Sequence, residues 1–217
     1  TRLGAPLVRT VFVPAGFGND AEYRLKDGAG GTRDVRTSVV GTFGVVDLAA
    51  SLKTTADYSV FGLFGATPDK ELLLLDVFRA RIEGADHMAT LERLHGLWKP
   101  RFWGIEKATY GLTLLQTAAR TGRIPVRELK PDGDKVSRAY AAGALLEAGR
   151  IYFPEAATWL ADWLHELEAF PNGTHDDCAD VMAYAAKVLS DRLTPLSTRR
   201  KRHEPTTLEE RIEAQCV

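Results

Sequence analysis

The chain has 217 residues, with 28 Lys+Arg against 29 Asp+Glu and a formal net charge of −1. Hydrophobic residues make up 45% and charged residues 26%, globular proportions that exclude a disordered chain and support a core needing no disulfide or structural metal. Cys178 and Cys216 stand in unrelated contexts, which excludes a disulfide framework or Cys-rich zinc module, and no apolar stretch is long enough to span a bilayer. The chain opens Thr-Arg-Leu-Gly, without an initiator Met, a basic region or an apolar run. No signal peptide is expected from such a start, and a fragment or processed chain is.

Val11-Phe12-Val13 reads as a short strand, and Ala21 to Arg33 as a hairpin or loop with turn chemistry at Asp27-Gly28 and Gly30-Gly31. Val39-Val40 and Phe43 to Leu48 form an apolar, β-branched strand that reaches Asp47. Strands at Asp57 to Phe64 and Glu71 to Arg79 flank the turn-forming Gly65 to Lys70, which predicts an antiparallel hairpin.

The period then changes. Met88, Leu91, Leu94, His95 and Trp98 mark an amphipathic helix over Ala85 to Trp98, stopped by Pro100. Phe102 to Glu106 is a compact strand, Tyr110 to Ala119 a helix ending at Gly122, and Pro125 to Leu129 another strand. A helix over Asp134 to Gly149 ends on that glycine, and Ile151 to Phe153 is extended. Thr158 to Phe170 places Trp159, Trp163 and Leu167 on one side as a core stripe, and a last helix runs from about Asp176 to Arg192. Three antiparallel strands followed by alternating helix and strand predict one α/β domain, a mixed sheet with helices on both faces. The expected division is a junction segment at 1–37, the α/β domain at 38–193, and a polar tail at 194–217 with the basic run 199–202.

Three acidic positions stand out. Asp47 ends an apolar strand, where a charge needs a partner or a metal, and Glu106 follows Trp103-Gly104-Ile105 in the same way. His175-Asp176-Asp177-Cys178-Ala179-Asp180 opens the last helix, and Asp177 and Asp180 lie on one helical face. Two strand-end carboxylates plus such a pair suit two hard divalent ions, Mg2+ or Mn2+, with a bridging carboxylate. Taken singly, each acid has a plainer reading. Asp47 would be a turn or cap residue, Glu106 an ion-pair partner of Lys107 or an arginine, and Asp176 or Asp177 a helix cap. His175 reads as a turn residue, Asp57 as structural and Cys178 as core.

These motifs, Val-Val-Asp-Leu-Ala around Asp47, Gly-Ile-Glu-Lys-Ala-Thr around Glu106 and His-Asp-Asp-Cys-Ala-Asp-Val at 175–181, resemble the nuclease domain of tailed-bacteriophage large terminase subunits. The resemblance spans about residues 40–190, and it implies an RNase H-like fold related in architecture to RuvC-type resolvases. It further implies a DNA endonuclease that cuts concatemeric double-stranded phage DNA with two divalent metals. Matched by position, Asp47 is the central ligand, Glu106 the acid of a later strand, and Asp177 and Asp180 the helix acids, with Asp176 in reserve. The implied partners are an N-terminal ATPase domain, a portal and a small terminase subunit, in the cytoplasm of an infected bacterium at the procapsid portal.

The ATPase signature G-x-x-x-x-G-K-[ST] is absent, and the glycine-rich Gly28 to Thr32 lacks its lysine. Arg120, Arg123, Arg127, Lys130, Lys135 and Arg138 form a candidate phosphate-contacting margin, the alternative being an ordinary solvated face. A structure-selective resolvase or transposase-type nuclease would use the same acids. A non-enzymatic binding module would use them only as caps and bridges.

Overall fold

The computed structural model describes residues 10–16, 21–49, 58–107, 109–131 and 135–191. Asp57, Cys216, the tail from 194 onward and its basic run lie outside the described residues. Nine strands form one sheet in the order β3-β2-β1-β9-β6-β5-β4-β7-β8. The strands are β1 Val11–Ala15, β2 Glu22–Lys26, β3 Thr32–Arg36, β4 Gly41–Asp47, β5 Ser59–Ala66, β6 Leu72–Ala80, β7 Trp103–Glu106, β8 Val126–Leu129 and β9 Ile151–Pro154. The helices are α1 His87–Trp98, α2 Thr109–Thr121, α3 Lys135–Glu147, α4 Leu160–Ala169 and α5 Asp177–Asp191.

β4, β5 and β6 form the expected antiparallel meander, while β7 pairs parallel to β4 and β8 parallel to β7. β5 is buried along its whole length because helices cover both faces of the sheet there. Alternation along β4 and β7 sorts the side chains. Val46, Trp103 and Ile105 pack with residues of α1 and α2, whereas Phe43 and Val45 pack with α3, α4 and α5. Asp47 and Glu106 share the parity of Phe43, Val45 and Gly104, so both belong to the α5 face. α5 is buried almost all round, which its alanine-rich sequence permits at close packing distance.

Three details differ from the sequence reading. Thr37–Val39 make a 3-10 turn with Val39 exposed, so the strand that reaches Asp47 begins at Gly41 rather than Val39. Residues 84–86 make a 3-10 turn and the α-helical hydrogen bonds start at His87. The early strands continue the main sheet: β1 runs parallel to β9, with Val11 opposite Phe153, and a small core of Phe12, Leu25, Val35, Val40, Leu73 and Tyr152 lies beneath. Local periodicity carries no information about such a pairing, which closes across more than a hundred residues.

The start of α2 presses on the end of β7. A Cβ at Gly111 would lie 1.9 Å from the Glu106 carbonyl oxygen. Replacing a helical glycine with alanine ordinarily stabilises by about 1 kcal/mol. Here the clash is with backbone and the sign reverses. Gly111→Ala should lose about 1–3 kcal/mol in urea unfolding, the cost of forcing a packed backbone apart.

Candidate metal centre

The acids meet where the carboxyl ends of β4 and β7 face the amino end of α5. The last β4–β7 pair is Val46 with Ile105, so Asp47 and Glu106 occupy the next rung on neighbouring strands. Asp177 and Asp180 lie in the first turn of α5, and both are buried. The side chains feel one another. Asp47 is held well above the usual carboxylate range, by loss of water first and then by the charges of Asp180, Asp177 and Glu106, against which Lys135 works weakly. Four residues scattered over more than 130 positions therefore share one electrostatic site.

Cations from α3 balance part of that charge. Lys135 Nζ lies 2.6 Å from Asp176 and 2.7 Å from Asp180, and Arg138 lies 3.5 Å from Asp180. Burial opposes the charge on Lys135, but the hydrogen bonds it donates to Asp176 and Asp180, with their charges, outweigh burial and raise its affinity for the proton. Burial likewise raises Asp180, with Lys135 and Arg138 pulling the other way. Tyr184, one turn beyond Asp180, is fully buried near Glu106. Its hydroxyl is pushed upward by burial and then by the Glu106 charge, and Arg138 lies over its ring. Nothing in the sequence reading singled out Tyr184, although its spacing from Asp177 and Asp180 put it on their helical face.

Other elements fix the first turn of α5. The Tyr58 amide donates to Asp177 Oδ2 at 3.0 Å, and the Cys178 amide donates to Glu166 Oε1 at 2.6 Å. Glu166 from α4 thus satisfies one of the orphan donors of the helix start, a cap supplied from a distant element. Its other oxygen pairs with Arg79 of β6. Cys178 is a core thiol pushed upward by burial, and the His175 ring packs edge-on against Tyr58 at 5.5 Å.

The basic margin divides. Lys135 and Arg138 face the acids, and the Arg127 guanidinium lies 3.9 Å over the Phe102 ring. Arg120 sits eleven residues along α2 from its start beside β7, about 16 Å from the acid end at 1.5 Å per residue. Arg123 precedes the amino end of β8, at the same far edge, whereas exposed Lys130 follows Leu129, the partner of Glu106. Lys107, the suggested partner of Glu106, instead pairs with Glu128 at 3.2 Å.

The donor set is all carboxylate, which suits hard ions such as Mg2+ or Mn2+ rather than zinc or copper. Among the described residues, no three His, Cys, Asp or Glu side chains stand close enough together to hold one ion as they lie. On the helix side the Lys135 ammonium lies between Asp176 and Asp180 and pairs with both. The residues fit hard divalent ions by chemistry and charge.

An antiparallel meander flanked by parallel strands, with acids at adjoining strand ends and on the helix across them, is an RNase H-like nuclease fold. The model of the terminase RNaseH-like domain matches residues 44–187, and the chain belongs to that family. The large terminase nuclease of thermophilic phage G20c, solved with bound magnesium, is similar at TM-score 0.56 and 18% identity, over 83% of this chain and 93% of that one. The large terminase nuclease domain of Thermus phage P74-26 gives TM-score 0.55 and 18% identity, over 85% and 94% of the two chains. The human cytomegalovirus terminase nuclease domain, soaked with Mn and inhibitor bound, gives 0.50 and 14%, over 71% and 86%. At these identities the likeness is one of fold. No curated protein matches the chain. Among the described residues, no helix is long and apolar enough to cross a membrane.

Two outcomes test this geometry. A carboxyl whose folded pKa is raised favours the folded state below the unfolded pKa, and that stability is lost as pH rises through the folded value. In EDTA, Asp47→Asn should therefore gain stability over wild type as pH rises above the usual carboxylate range, by up to about 1.4 kcal/mol per pH unit. Thermal melts at pH 4 to 8 read this, and equal curves would show that Asp47 is not under repulsion. Glu166→Ala leaves the Cys178 amide and Arg79 without their partner and should lose about 3 kcal/mol in urea unfolding. Glu166→Gln, whose amide oxygen still accepts from Cys178, should lose less.

Proposed function

We propose that this domain is a metal-dependent DNA endonuclease that hydrolyses phosphodiester bonds of concatemeric double-stranded DNA with little sequence specificity. The observation that carries the reading is the acid cluster: Asp47 under the joint charge of Asp180, Asp177 and Glu106, in a terminase RNaseH-like domain. The magnesium bound in the G20c nuclease and the Mn soaked into the cytomegalovirus domain support the choice of Mg2+ or Mn2+.

When bound, two such ions lower the pKa of water and neutralise charge developing on the phosphodiester. Asp47, between the β7 acid and the helix acids, would bridge them. Glu106 would complete one site, and Asp177 with Asp180 the other, with Asp176 in reserve. Asp177 already accepts from the Tyr58 amide at one oxygen, which fixes its carboxylate plane. Lys135 pairs with Asp180 and Asp176 and Arg138 with Asp180, and a divalent cation bound there would take over part of that pairing. No side chain needs to form a covalent intermediate.

Lys130, exposed beside the acid end, would meet a phosphate of the duplex, with Arg127 farther back along β8 and Arg120 and Arg123 at the far edge. In the full-length protein an N-terminal ATPase domain would precede this one, with a portal and a small terminase subunit as partners. The setting would be the cytoplasm of an infected bacterium, at the procapsid portal.

Supercoiled plasmid incubated with Mg2+, Mn2+ or EDTA tests the assignment. Nicking and linearisation should require metal, and Asp47→Asn or Glu106→Gln should slow them by about 10²–10³-fold, the scale of losing one preorganised electrostatic group. Undiminished cutting in a folded Asp47→Asn preparation would overturn it.

A further inference from the structure

On the α5 face, at the same end of the sheet as the acids, lies a cleft of about 370 Å3 whose lining includes Tyr58, Arg79, Trp159, Asp162, Trp163 and Cys178. Its position is set by register. Asp47 pairs with Val60 and Val60 with Arg79, so the three lie on one line across β4, β5 and β6. At about 4.8 Å per strand, Arg79 is about 10 Å from Asp47, near three nucleotide rises along a duplex. Cys178 follows Asp177 directly, and the amide of Tyr58 holds it, so cleft and acid cluster share the start of α5.

The lining defines what fits. Trp159 and Trp163 meet edge-to-face at 6.4 Å, and Trp159 is anchored through its N–H to Asp76 at 3.1 Å. The Tyr58 ring is held by the guanidiniums of Arg79 and Arg81, each 4.2 Å from its centre. The cleft is not a phosphate site. The charge on Arg79 is already taken by Glu166, and Asp162 sits exposed at the rim, where it repels phosphate. Aromatic walls with a carboxylate at the rim describe a site for a neutral planar ring rather than a phosphate. A cleft of this volume takes one such group.

We propose that the cleft takes a single unstacked nucleobase of the DNA strand entering the acid cluster. The inference rests on the nuclease reading, and it adds that the strand is opened locally beside the cut. A base within a duplex stacks both its faces on neighbours, so only an extruded or unpaired base can enter.

The test is binding in EDTA, where cleavage plays no part, with two fluorescein-labelled eight-residue strands: oligothymidylate and an abasic strand of equal charge. Wild type should bind oligothymidylate about tenfold more tightly, since stacking one base contributes about 1–3 kcal/mol. In Trp159→Ala the two strands should bind alike. Photocrosslinking a 5-bromodeoxyuridine strand to wild type should map to Tyr58, Trp159 or Trp163, which decides the matter even if the variant fails to fold. Equal affinity of the two strands for wild type, or crosslinks confined to other regions, would overturn the cleft assignment. Plasmid cutting by wild type against Asp47→Asn tests the nuclease reading separately, so each can fail without the other.

Discussion

Bringing Asp47, Glu106, Asp177 and Asp180 into one partly dry volume costs electrostatic energy, and the neighbouring structure is organised around opposing that cost. Burial and three like charges hold Asp47 above the usual carboxylate range. The compensation among the described residues comes from a lysine and an arginine of α3, both paired with Asp180. Neither is placed to reach all four acids, so the repulsion on Asp47 is only partly relieved. A site in this condition favours a small, highly charged cation over a tethered ammonium, because a divalent ion can serve several carboxylates at once.

A cluster under repulsion stays together only if its supports are stiff. Asp47 and Glu106 sit at the ends of paired parallel strands within a sheet covered on both faces. Asp177 and Asp180 ride on the first turn of a helix buried almost all round. That turn is fastened twice, by the Tyr58 amide to Asp177 and by Glu166 to the Cys178 amide. Glu166 also pairs with Arg79, so the guanidinium that lines the adjoining cleft is already partnered by a carboxylate. The support of the acid pair and the character of the cleft therefore depend on one buried carboxylate.

Much of this was legible in the sequence. The strand-end acids, the i, i+3 pair on the last helix, the change of period after the third strand and the Gly149 stop all follow from local chemistry. Gly149 carries a positive φ of 65°, and Arg150 N–H reaches back to the Leu145 carbonyl, which turns the chain directly into β9. Other features were not legible. Lys135 and Arg138 read as part of a basic margin, because composition reports charge and not direction. Glu166 and Tyr58 gave no signal, since a helix cap donated from another element leaves no spacing to find.

The sequence by itself determined which residues bear charge at element ends and which faces of strands and helices are apolar, because propensity and periodicity act over a few residues. The tertiary structure alone decided that Asp47 stands on one rung with Val60 and Arg79, that Lys135 meets Asp180, and that β1 joins β9. Those outcomes depend on strand order and register, set by packing among segments distant in the chain. No local pattern contains that information.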